Sequence, residues 1–400
     1  MAKALNVGSS TPPRGGGRPL VSAAVLIALN SIFLLTLQQF FFLGGINATG
    51  GGNGGGGASF SAPVDASPAP GEDGGRIAAS PFGLVIPRGG AAALPSVRIS
   101  EDEEKAIGRN IYGGKGDKAH LGGFTSFDPM GVSPTLWTHM VNHLGIKSML
   151  DLGCGRGIST SWFILHGLNY VVCAEGSHDA VTQSLLPQID EKYPELAKSG
   201  KTYELVEHDF SRGAWWPERT VDLAWCVEFT EHVGRNYIHN YHTAFRKAAL
   251  IFVTHSNWGG WHHVEVHDND WWQVKMEASG FVYSDVLTKE MKGRAMKDSH
   301  RTDLVEDMAV KNKTTYNVAQ HLWTSLQVFI NPLVASLPEH AHLFAEHGCY
   351  GRGQKGQECG KKGGDPGVAK LTPLPENFKP LNMTKEMDDR WMDLIKDLKL

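Results

Sequence analysis

The sequence predicts an α/β protein built on a doubly wound, mostly parallel sheet, and three features predict it. From Glu101 onward, helical and strand periods alternate. A buried-strand pattern ending at Leu152 runs straight into glycines at alternate positions, Gly153, Gly155 and Gly157, which permit positive φ and close approach of backbone to a ligand. Acidic residues then stand at the ends of the later strands: Glu175, Asp209 and Glu228.

Taken in order, Pro134, Trp137, Met140, Val141 and Leu144 have helical spacing, and Gly145 suits the cap. Strands are expected at 147–152, 170–174, 203–207, 221–227 and 249–254, with helices at 160–166, 178–186, 237–247 and 270–279. Residues 98–130 read as an entry segment or lid, 131–290 as the main domain and 291–400 as an extension. Within the extension, 320–334 reads as a helix or strand pair and 351–367 as a mobile Gly-rich loop. Met387, Trp391, Ile395 and Leu398 mark an amphipathic last helix.

The amino-terminal part differs. No charged residue occurs between Arg18 and Asp65, and 20–43 is an almost unbroken apolar run. At ~1.5 Å rise per residue it is long enough to cross a hydrocarbon core of about 30 Å. Lys3, Arg14 and Arg18 precede it, so the charge bias predicts a single-pass anchor with a cytosolic amino terminus and the remainder in an endomembrane lumen, Golgi or endoplasmic reticulum, with a plastid as the alternative. Residues 44–97, rich in Gly, Ala, Ser and Pro, read as a disordered tether. Asn47, Asn312 and Asn382 begin glycosylation-acceptor triplets. A formal charge of −4 gives no global attraction to polyanions, so nucleic acid is not the expected partner. Five cysteines without a C-x-x-C pair exclude a zinc ribbon. Cys154, Cys173 and Cys226 read as small buried thiols, whereas Cys349 and Cys359 can pair in an oxidising lumen.

Asp151 precedes the glycine turn, and Ile158 stands where a dinucleotide fingerprint would carry its third glycine, which argues against a nicotinamide dehydrogenase. This G-x-G-x-G spacing resembles motif I of the class I S-adenosylmethionine-dependent methyltransferases, and the resemblance covers roughly residues 130–285. It implies a Rossmann-like fold and a cofactor, S-adenosylmethionine, held by Asp151, Gly153, Cys154, Gly155, Gly157, Glu175, Asp209, Phe210 and Glu228. Glu175 would take the ribose hydroxyls, Asp209 the adenine amino group and Phe210 the adenine face.

Glu228-Phe229-Thr230-Glu231-His232 is the other distinctive segment. Carboxylates and an imidazole this close can hold Mg²⁺ or a similar ion through Glu228, Glu231, His232 and a later His263. The E-x-x-E-H pattern resembles that of plant small-RNA 2′-O-methyltransferases and some ubiquinone-pathway O-methyltransferases, where it supplies metal ligands. A metal-free role is the alternative, with Glu231, His232, His262 and His263 as catalytic candidates; His232, His262 or His263 would be the general base. Trp258 and Trp261 offer rings for stacking a sugar, whereas Trp271 and Trp272 suit core packing. Residues 100–350 as a whole resemble membrane-anchored methyltransferase-domain proteins of algae and other protists. The expected acceptor is an oxygen on a glycan or small metabolite. The alternatives are a non-catalytic cofactor-binding membrane module and a metal-dependent RNA 2′-O-methyltransferase.

Overall fold

The computed structural model describes residues 86–107, 117–121, 127–197, 202–306, 317–335, 337–343 and 385–398. The apolar run 20–43, the glycosylation triplets, Cys349, Cys359 and the 351–367 loop lie outside the described residues. No helix among the described residues is long and apolar enough to cross a membrane.

Seven strands form one sheet: β1 (Ser148–Leu152), β2 (Tyr170–Glu175), β3 (Thr202–Glu207), β4 (Val221–Cys226), β5 (Ala248–Val253), β6 (Val282–Tyr283) and β7 (Gln327–Ile330), in the order β3-β2-β1-β4-β5-β7-β6. β1 to β5 are parallel, and β7 runs antiparallel to both its neighbours. Period-two alternation supplies a core on each face. Met149, Leu223 and Phe252 enter one cluster, and Leu150, Ala224 and Ile251 the other. β2, β4 and β5 are buried along their whole length, which is why they read as near-continuous apolar runs.

The Pro134–Asn142 helix starts where Ser133 Oγ accepts the Leu136 N–H and proline takes the first turn. It carries Trp137, which is fully buried with ring centroids of Trp162, Trp225 and Trp391 at 5.5, 6.4 and 5.7 Å. Trp391 belongs to the Lys385–Ile395 helix, so the carboxyl-terminal helix is built into the central core.

Three expectations need correction. The main domain does not stop at 290, because β7 fills the slot between β5 and β6 and pairs Ile330 with both Leu250 and Val282. Residues 86–97 are not part of a loose tether. Leu94 bonds both ways, its N–H to His208 Nδ1 at 2.9 Å and its carbonyl from Asp209 N at 3.0 Å, while Lys247 Nζ holds the Pro87 and Gly89 carbonyls. The single helix expected at 178–186 is two, His178–Thr182 and Leu186–Lys192, because Pro187 lacks an N–H and belongs in a first turn.

Candidate functional site

Sheet order reverses direction at β1, with β2 on one side and β4 on the other, which opens a crevice at the carboxyl ends of these strands. A cavity of about 710 Å³ occupies it, lined by Asp151, Gly153 to Arg156, Glu175, Asp209, Phe210, Glu228, His232 and His263 among others. All the residues that the sequence assigned to a cofactor except Gly157 therefore line one cavity.

The floor is the glycine turn. Gly153, Gly155 and Gly157 have φ of 70, 55 and 82°. A Cβ on Gly153 would sit 2.6 Å from Phe229 Cδ2, and one on Gly157 2.4 Å from Leu186 Cδ1, so the turn requires glycine for conformation and for space. Gly153 N–H donates to the Ala174 carbonyl at 2.9 Å and Gly155 N–H to Glu175 Oε2 at 2.7 Å, stitching the turn to β2. Cys154 and Cys173 add a disulfide there, so the expectation of free thiols fails for this pair and holds for buried Cys226. The parallel register that sets Asp151 opposite Cys173 brings the two sulfurs together.

Asp151 Oδ2 accepts Ser159 Oγ and Thr160 Oγ1, both at 2.7 Å. Its carboxyl is pushed up to about 6 by burial, against the pull of those hydroxyls. Glu175 is pushed up to about 7, again by burial, although Ser177 and Gly155 N–H groups bond it at 2.8 and 2.7 Å. Each Glu175 oxygen retains a second lone pair for a hydroxyl donor, whereas Asp151 Oδ2 already accepts two hydroxyls. Asp209 Oδ1 takes His120 Nε2 at 2.9 Å and Ser211 N–H at 2.8 Å, while its Oδ2 is buried without a partner. Burial raises this carboxyl, the bonds from His120 and Ser211 outweigh that, and the net result lies below the ordinary value. Phe210 is buried beside it and meets Phe229 edge-on at 5.8 Å.

His232 and His263 line the cavity and Glu231 does not, yet the three bring one ligand atom each to within 4.8 Å of one another. Glu231 is fully buried and neither carboxyl oxygen has a hydrogen-bond partner among the described residues; burial, then the neighbouring Glu228 charge, raises its carboxyl well above the usual range. His232 is driven down to about 3 by burial, then by His263 and His262. His263 Nδ1 bonds the Trp258 carbonyl at 2.8 Å, which turns Nε2 to the lone-pair side, as metal-ligating imidazoles require. Gly260 makes room for that ring, since a Cβ there would lie 2.6 Å from His263 Cε1. Glu228 is turned elsewhere, to Thr254 Oγ1 at 3.0 Å and His321 Nδ1 at 3.4 Å, so the close set of possible ligands is three residues rather than four. Glu228 and His262 both hold positive φ, 52 and 49°, strain of the kind kept at working sites. His262 does not join the close set, and its ring centroid lies 6.0 Å from that of His120.

Of the tryptophans, Trp261 lines the cavity, Trp258 is exposed, and Trp272 is core as expected. His120, read from the sequence only as part of an entry segment or lid, lines the cavity, as do Asp128 and His321, which the sequence did not single out; His321 Nε2 lies 3.2 Å from Asp128 Oδ2.

No protein-family model matches the chain, and no curated protein matches it. Solved structures with some similarity include the methyltransferase domain of bacterial CtHen1, at 19% identity over 37% of this chain and 86% of that one, TM-score 0.31. Magnesium protoporphyrin IX methyltransferase from Synechocystis PCC 6803 with bound SAM gives 12% identity over 49% and 74%, TM-score 0.31. The [4+2]-cyclase SpnF gives 12% identity over 60% and 97%, TM-score 0.31. Likenesses this slight do not decide a reaction.

Proposed function

We propose that this chain is an S-adenosylmethionine-dependent methyltransferase that methylates a hydroxyl oxygen of a glycan or small metabolite. The observation that carries the reading is Asp209, which lines the cavity and whose buried Oδ2 has no hydrogen-bond partner among the described residues, together with a glycine turn that has no room for a Cβ at Gly153 or Gly157. An adenine amino group supplies the missing donor, Glu175 is placed for the ribose hydroxyls, and Phe210 and the turn enclose the rest. The cofactor supplies an activated methyl on a sulfonium, so the protein's task is to align the acceptor, exclude water and receive a proton.

Glu231, His232 and His263 fit a divalent ion, which would supply a Lewis acid beside the acceptor oxygen. Arg156 is the only Lys or Arg among the described residues that line the cavity. A neutral acceptor suits that lining better than a phosphate backbone, which favours glycan or metabolite over RNA. The disulfide beneath the turn supports an oxidising compartment, and the 20–43 run supports membrane attachment with this part of the chain in a lumen.

Calorimetry with S-adenosylhomocysteine and with NADH tests the cofactor: the first binds and the second does not. Tight NADH binding without the nucleoside would overturn the reading. Incubation with labelled S-adenosylmethionine and fractionated glycans, lipids and RNA, with and without a chelator, then assigns the acceptor and metal.

A further inference from the structure

We infer that His139, His143 and Glu290 form a second divalent-ion site, suited to zinc, that fastens the Pro134–Asn142 helix to the Asp285–Ala295 helix. None of the three lines the cofactor cavity, and the inference stands independently of the proposed reaction. His143 caps its helix by donating its N–H to the His139 carbonyl, so the two imidazoles sit one turn apart on one face. Their rings stack at 4.4 Å with planes 19° apart. Glu290 reaches up from the facing helix to His139 Nε2 at 2.9 Å and His143 Nε2 at 3.9 Å, through the same oxygen.

One ligand atom from each residue lies within 4.8 Å of the other two. Zinc bonds of about 2.0–2.2 Å in a tetrahedron set ligand atoms roughly 3.3 Å apart, so the His139–Glu290 pair must open a little and the His143–Glu290 pair close. His143 can supply that movement, because its side chain is 57% exposed. Two imidazoles with one carboxylate, open to water on the remaining positions, is the donor set of a borderline ion rather than of Mg²⁺ or Ca²⁺. One group opposes the site: Arg294 NH2 lies 3.9 Å from Glu290 Oε1. Without an ion, the same residues amount to one His139–Glu290 hydrogen bond with His143 a bystander, and that reading makes a different prediction.

The test is a calorimetric titration with zinc chloride of the full chain carrying His263→Ala, which disables the cavity cluster. One equivalent of zinc binds. Adding His143→Ala weakens that binding by roughly tenfold or more, Glu290→Gln does likewise, and Arg294→Ala tightens it. His143 is solvent-facing, so its loss leaves the thermal midpoint without zinc unchanged, which separates ligand loss from misfolding. Failure of the His263→Ala chain to bind zinc, or equal affinity with and without His143, would overturn the assignment.

Discussion

The two ends of the central sheet each bury acids beside histidines and treat them in opposite ways. At the amino end, Asp222 near the start of β4 is saturated. Its Oδ1 accepts His340 Nδ1 at 2.7 Å, and its Oδ2 accepts Lys147 N–H at 2.7 Å and His342 Nε2 at 3.2 Å. His340 goes on to Thr220 Oγ1 at 2.9 Å, and Asp222 N–H reaches Ser148 Oγ. At the carboxyl end, Glu231 and Asp209 Oδ2 have no donor, Glu228 and His262 hold strained backbone, and Asp151 and Glu175 are pushed towards neutrality. One network has satisfied its polar groups for stability, and the other has left them for something to arrive. That contrast, more than the presence of acids, locates the function.

The largest effect that tests the contrast is Asp222→Ala. It strips the partner from two histidines and an amide in a buried network, and breaking such a network costs about 3–5 kcal/mol. Chemical denaturation should show a loss of that size. A variant within about 0.5 kcal/mol of the parent would mean the amino end is no more a stability device than the other.

Next is Asp209→Asn. It keeps an oxygen for one neighbour and presents an amide where the cavity offered a carboxylate oxygen. A hydrogen bond to a charged acceptor is worth about 1.5–3 kcal/mol, so S-adenosylhomocysteine affinity should fall roughly 10- to 100-fold, with little change in folding stability. Unchanged affinity would remove Asp209 from the cofactor contacts.

Acid titration sharpens the same comparison. The saturated carboxyl of Asp222 lies at about 2, because the bonds from His340 and His342 exceed the opposing cost of burial. A carboxyl depressed in the folded state contributes stability above its unfolded pKa, near 4, and that contribution is lost as pH falls from there through about 2. It amounts to on the order of 2 kcal/mol, and Asp222→Asn should lack this component of the acid limb. An identical acid limb in parent and variant would count against it.

The sheet and the floor of the site were legible because both are local. β1 to β5 announce themselves through apolar runs, and Gly153 to Gly157 encode their turn in consecutive residues. What escaped was assembled across the chain. His321 and Asp128 are 193 residues apart, and His120 meets Asp209 across 89. β7 lies within the 320–334 stretch that read as a helix or strand pair, but at four residues it is too short for a period to show, and its place is set by pairing with β5 and β6. The Cys154–Cys173 bond depends on the register of two parallel strands. The 86–97 segment looked like tether from its composition, yet Leu94 and the Pro87 and Gly89 carbonyls find fixed partners on the body.

The smallest expected effect on stability is also the one that separates the two ends most directly. Glu231→Met replaces a fully buried carboxylate that no donor reaches with an apolar chain of similar length. At a structural site this would be damaging. Here burial outweighs what stabilises the wild-type carboxyl, and exchanging such a group for a packed apolar one is commonly neutral or stabilising. The expected gain is about 1 kcal/mol, or roughly 2–4 °C in Tm for a domain of this size. The same variant should abolish any rise in Tm on adding Mn²⁺ or zinc that depends on His263, because one of three ligands is gone. A gain in stability with a loss of ion response is the behaviour of a residue retained for function. A loss of several kcal/mol would instead place Glu231 with Asp222 among the structural acids, and the contrast between the two ends would fail at its central residue.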